Sequence, residues 1–227
     1  MDEKEKAFLE HRSSKAELRV VWSKKGYILG FELAAFQVLT GIASYVVQTA
    51  HIISVSLQEP IFGLYTPILI TVSQLIGTFI SIPMLKHIEW KWLTVLGGIS
   101  LGLWNALIAL FFYLYNVIDE FKPYAMTLIM ISLMAFMFTF GVTLGSSVWP
   151  YISYMLPNRA LTAAQSFNWF IAGCAMVSFS VADYVQNNPY LIIWVFAGIT
   201  LVLSIINAIF MVEVKDLSVR KVQVKLI

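Results

Sequence analysis

Six apolar runs, each long enough to cross a bilayer, dominate what this chain can fold into. Crossing about 30 Å of hydrocarbon takes about 20 apolar residues as a helix. The runs cover about 27–56, 65–85, 93–117, 124–155, 161–185 and 190–212. None shows the strict alternation over about ten residues that marks a membrane β-strand. Composition agrees, with 59% of residues hydrophobic and 12% charged and a mean hydropathy of +0.78. A soluble domain is about 25% charged, so this chain has too little charge to cover a water-facing surface. The expectation is an all-α, multi-pass integral membrane protein whose first partner is the lipid bilayer.

Short polar segments separate the runs: QEPIFG (58–63), KHIEWKW (86–92), DEFKP (119–123), LPNR (156–159) and QNNP (186–189). Such brief connections make neighbouring helices antiparallel. With six spans, every lysine and arginine except Lys122 falls on one face. Under the positive-inside rule that face is cytosolic, and both termini lie there. Residues 1–25 are too long and too acidic for a signal-peptide n-region and read as a cytosolic amphipathic segment. Residues 26–213 then form the six-helix domain, and residues 214–227 a cytosolic tail.

The net charge of +2 implies no nucleic-acid partner. One cysteine, Cys174, leaves no internal disulfide and no cysteine metal site. No P-loop, GxSxG or HExxH pattern occurs, so neither enzymatic machinery, a metal site nor a cofactor is expected. Glu32 and Asp183 are the acids nearest membrane depth, each towards the end of a run.

The spans are not uniformly apolar. Gln37, Thr40, Gly41, Ser44, Tyr45, Gln48 and His51 fall on one face of the first at helical spacing. Gln74, Gly77, Thr78 and Ser81 do the same in the second. Polar groups at this depth are costly unless they face protein or water, so both stripes are expected to point inward. The third span has Asn105, the fifth Gln165, Asn168 and Trp169, the sixth Ser204 and Asn207. The fourth carries GVTLGSSVWP (141–150), a composition that should loosen or break a helix.

Two uses of these residues stay open. Glycine, serine and threonine let membrane helices pack closely, and asparagines such as 105 and 207 join them by hydrogen bonds. The amides of Gln37 and Gln74 have more donors and acceptors than packing needs, and suit a ligand as well. Trp149 is either an interfacial anchor or a stacking face for a sugar ring. Amides, hydroxyls and an indole together suit a neutral, hydroxyl-rich solute.

Four motifs in order carry a resemblance. Gln37-Val38-Leu39-Thr40-Gly41-Ile42-Ala43 is similar to Q-Q-[LV]-[ST]-G-I-N. Gly145-Ser146-Ser147-Val148-Trp149, with Leu156-Pro157 beyond, is similar to G-P-x-x-W and its following run. Asn168-Trp169 matches an Asn-Trp pair, and Glu213-Val214-Lys215-Asp216-Leu217-Ser218 is similar to E-T-K-G-L-S. From about residue 10 to 220 the chain resembles the C-terminal six-helix half of a sugar porter of the major facilitator superfamily. The fold implied is a six-transmembrane-helix bundle resembling one half of such a transporter.

The resemblance implies roles. Gln37, Gln74, Trp149 and Asn168 would bind the sugar; Gly41 and Gly145 would serve gating; Glu213 and Arg159 would belong to a cytosolic charge network. The implied activity is transport of a hexose-like sugar by alternating access, with a partner: an N-terminal six-helix half or a second copy. Val38, Ala43, Gly141, Ser146 and Tyr154 depart from the pattern, Tyr154 by replacing a glutamate. Those departures also allow a non-transporting half kept as a membrane binding or regulatory partner, or a carrier of another small neutral solute.

Overall fold

The computed structural model describes residues 24–51, 53, 60–186, 190–215, 217 and 221–222. Most of the expected amphipathic segment, the end of the first run with the start of the turn after it, the 187–189 connection and most of the tail lie outside these residues. Among the described residues the main α-helices run in the order α1 (Lys24–Leu39), α2 (Ile42–His51), α3 (Pro60–His87), α4 (Trp90–Val117), α5 (Lys122–Val142), α6 (Leu144–Met155), α7 (Asn158–Gln186) and α8 (Tyr190–Phe210). A 3-10 turn at Asp119–Phe121 precedes α5. Because α1 and α2 form one span and α5 and α6 another, the described residues hold six spans.

The break in the first span is at Gly41, which has φ of 87°. L-residues avoid that region, and glycine does not. A Cβ there would also strike the ring of Phe196 on α8. The break in the fourth span is at Thr143, where ψ turns to −94°. The helix then runs on through Pro150, so the disruption expected across 141–150 comes seven residues before the proline.

Helix α4 is the central strut, packing against α5, α6 and α8. Its buried face includes Thr94, Gly97, Leu101, Asn105 and Ile108, at helical spacing. A Cβ on Gly98 would meet Ser204 and Phe36, and one on Gly102 would meet Leu201, so these glycines admit α8 at close range. Helix α3 packs on α5 in the same way, with Gly77 against the Phe138 carbonyl and Gly141 against the Gln74 carbonyl.

The inward stripe of the first span is as expected: Gln37, Thr40, Gly41, Ser44 and Tyr45 are buried, and only His51 at its end is exposed. The second span differs by one position. Its buried line is Thr66, Ile70, Ser73, Gly77 and Ser81, while Thr78 is exposed and Gln74 half-buried. The backbone contacts of Gly77 with α5 set that rotation. Outward faces are apolar, as with Ile61, Phe170 and Ile209, which suits lipid.

Candidate functional site

A cavity of about 600 Å³ lies between the first span and α7. That volume is within the usual range for a small-molecule site. Gln37, Val38, Ile42, Ala43, Val46 and Val47 form one wall, and Gln165, Asn168, Trp169, Ala172 and Met176 the other. Phe140 of α5 and Trp149 of α6 close the back.

The break at Gly41 shapes the first wall. Asn105 of α4 donates from Nδ2 to the Thr40 carbonyl (2.9 Å), and its Oδ1 accepts from the Tyr45 hydroxyl (2.7 Å). The Thr40 hydroxyl donates to the Gln37 carbonyl at 2.7 Å. These bonds satisfy the groups a broken helix leaves open. They also hold Gln37 on one side of the break and Ile42–Val47 on the other.

Asn168 joins the walls. Its Nδ2 donates to the Ala34 carbonyl at 2.6 Å and to Gln37 Oε1 at 3.3 Å. Both amides are buried, Gln37 at 8% and Asn168 at 7% exposure. The bond to Gln37 Oε1 orients that amide and leaves its NH₂ group for a hydroxyl acceptor. Along the same interface Gln48 Nε2 donates to the Met176 carbonyl (2.8 Å) and to Ser180 Oγ (2.5 Å). Trp149 is half-buried against the core with its indole on the cavity. The mouth is apolar and open, with Trp169 74% and Val47 63% exposed.

Thus Gln37, Asn168 and Trp149 come together, and Gln74 does not join them. It sits on α3, half-buried, and its carbonyl accepts the Thr78 hydroxyl at 3.0 Å. Gly41 underlies the first wall. Gly145 is exposed in the first turn of α6, close to the Phe140 ring. Gln165 also faces the cavity. Its signal was spacing, one helical turn before Asn168.

At another place Glu213 closes an end of the bundle. Its Oε2 accepts the Lys91 amide (3.2 Å), and its Oε1 accepts the Val214 and Lys215 amides (3.1 and 2.9 Å). Glu89, the N-cap of α4, makes no side-chain cap bond. Glu213 therefore caps α4 from a distance, where a carboxylate favours the helix dipole. Lys215 Nζ donates to the Ile88 carbonyl at 3.4 Å. Trp90 and Tyr154 meet edge to face at 5.7 Å. Arg159 is exposed on the first turn of α7.

Among the described residues no cluster of His, Cys, Asp or Glu could hold a metal ion. Six apolar spans, two of them broken, define a multi-pass integral membrane protein. The chain belongs to the sugar (and other) transporter family of the major facilitator superfamily, which it matches over residues 1–226. Members of that family are transporters rather than enzymes, so the activity of the class is passage of a sugar or related solute. No curated protein matches the chain.

Proposed function

We propose that the cavity binds a hexose-like sugar and that the chain carries it across the membrane. The observation that supports this most is the meeting of Gln37, Asn168 and Trp149 at one cavity of about 600 Å³. The amides offer directed donors and acceptors to ring hydroxyls, and the Trp149 indole offers its face to ring C–H groups. Gln165 adds a third amide at the wall. Gln74 lies outside this set, and its backbone carbonyl faces Gly141 of α5.

Alternating access needs two units rocking about a shared site. The open mouth at Val47 and Trp169 suits a second six-helix unit, either a complementary half or another copy. Gly41 and Gly145 lie at or beside the two breaks, where hinge motion costs least. Glu213 holds the end carrying Lys86, Lys91 and Lys215, which supports a cytosolic location for that end. Arg159 would engage there only in another conformation. A second reading, a non-transporting binding partner, is favoured by Tyr154, which has exchanged a charge for an aromatic contact with Trp90.

The test is labelled-hexose binding and uptake in vesicles holding the full chain, alone and with a complementary six-helix unit. Gln37→Ala and Trp149→Ala should each weaken binding about tenfold, a loss of about 1.4 kcal/mol. Binding without uptake in either setting selects the second reading. Binding unchanged by both substitutions removes the site assignment.

A further inference from the structure

Glu32 takes no part in the cavity. Its side chain turns from α1 towards α8, where Asn207 Nδ2 donates to its Oε1 at 3.2 Å. The other carboxylate oxygen, Oε2, is closed off from solvent and has no hydrogen-bond partner, and Asn207 Oδ1 is in the same condition. Both residues lie inside membrane-spanning segments, 24–51 and 190–210. Two orphaned acceptors therefore sit on two side chains that are already joined. Each would cost about 1–3 kcal/mol in a protein interior, and more if charged.

Among the side chains the structure describes, the titratable groups on the elements packed against α1 are otherwise engaged or directed elsewhere. On α2, Tyr45 is bonded to Asn105, and His51 is exposed at the far end. On α6, Tyr151 donates to the Val212 carbonyl, and Tyr154 packs on Trp90. On α7, Arg159 and Cys174 are exposed. On α8, Tyr190 meets Tyr113. Lys24, Lys25 and Tyr27 are exposed on the first turn of α1, and Glu213 is taken up by backbone amides.

We propose that Glu32 and Asn207 form a proton-binding site, in which Oε2 carries the proton and donates it to Asn207 Oδ1. One proton removes both defects. It turns the orphaned Oε2 into a donor and supplies the donor that Oδ1 lacks, closing a two-bond acid–amide pair. The O–H bond forms as a hydronium ion becomes water, and no other bond changes. A hard metal cation would want about six or more oxygens, and among the described residues only three buried side-chain polar atoms have no partner, these two and Ser44 Oγ. The site also bears on the cavity. Ala34 and Gln37 lie on the same helix, the latter about 7.5 Å further along its axis. Movement of α1 against α8 would open the pair and release the proton. That coupling rests on the carrier reading; the proton site does not.

The experiment is difference infrared spectroscopy on the full chain in phosphatidylcholine vesicles at neutral pH. The chain has 13 acidic residues, so the signal is read as wild type minus variant. Glu32→Gln should remove a protonated-carboxyl C=O band, and that band should shift in D₂O. Asn207→Leu should leave the band but move it to higher frequency, because both hydrogen bonds of the pair are lost. Loss of a carboxylate band instead, in Glu32→Gln, overturns the proposal. So does a carboxylate band that shifts with added sodium, which would make the pair a cation site. A band that Asn207→Leu leaves in place overturns the acid–amide pair. Circular dichroism checks folding, and if Glu32→Gln does not fold, Asn207→Leu and the D₂O shift carry the test. No step requires transport, so this proposal and the carrier reading can fail separately.

Discussion

At Gly41, between α1 and α2, the chain is held by groups remote in sequence; at Thr143, between α5 and α6, it is held by its own neighbours. Asn105 reaches the first break from α4, and Phe196 of α8 presses against it. At the second break the Thr143 amide donates to the Thr139 and Phe140 carbonyls (3.0 and 3.2 Å). The Thr143 hydroxyl donates to the Thr139 carbonyl at 2.7 Å, and Ser146 Oγ reaches Val142 and Thr143. Only one bond leaves this segment nearby, Thr94 Oγ1 to Ser147 Oγ at 2.9 Å. The hydrogen bonds of the first break therefore depend on the position of α4, whereas those of the second are largely its own, although the Thr143 side chain packs on Gly97 of α4. A shift of the strut would disturb Gln37 and the cavity wall before it disturbed Trp149.

Three substitutions sharpen or break that contrast, and the first should have the largest effect. Gly41→Val forces a β-branched residue into positive φ and into the Phe196 ring. It should cost about 3 kcal/mol, read from denaturant unfolding in detergent. Asn105→Leu strands the Thr40 carbonyl and the Tyr45 hydroxyl and should cost about 2 kcal/mol by the same assay. It should also weaken hexose binding, because Gln37 loses its anchored neighbour. Thr143→Val removes one hydroxyl bond to a carbonyl of its own helix. The change should stay below about 1 kcal/mol, with binding unaltered. A Thr143→Val effect as large as that of Asn105→Leu would erase the distinction between the two breaks.

Much of the bundle was legible in the sequence, because spans of this length and apolarity have few alternatives in a membrane. The inward face of the first span and a break within 141–150 also followed from local pattern. The break at Gly41 did not. A Thr-Gly-Ile step is ordinary inside an apolar helix, and its positive φ is set by Asn105 and Phe196, far off in sequence. Gln74 stands apart from the cavity for a related reason. Its stripe had helical spacing, but Gly77 and Gly141 let backbones meet and rotate α3 by one position. Gln37, Trp149 and Asn168 were each visible as unusual residues; their convergence required the fold. The pairing of Glu32 with Asn207 and the capping of α4 by Glu213 have no local signature at all.

The central claim is that the space between the first span and α7 is a water-filled, sugar-binding vestibule. Thiol labelling tests it most directly: place a cysteine at half-buried Ala43 on the cavity wall, with Cys174→Ser in the background, and treat vesicles with a polar, membrane-impermeant reagent. The account predicts rapid modification that a saturating hexose slows several-fold, while a cysteine at lipid-facing Phe170 stays unreactive. Equal inertness at both positions, or modification at Ala43 that hexose leaves unchanged, would contradict it.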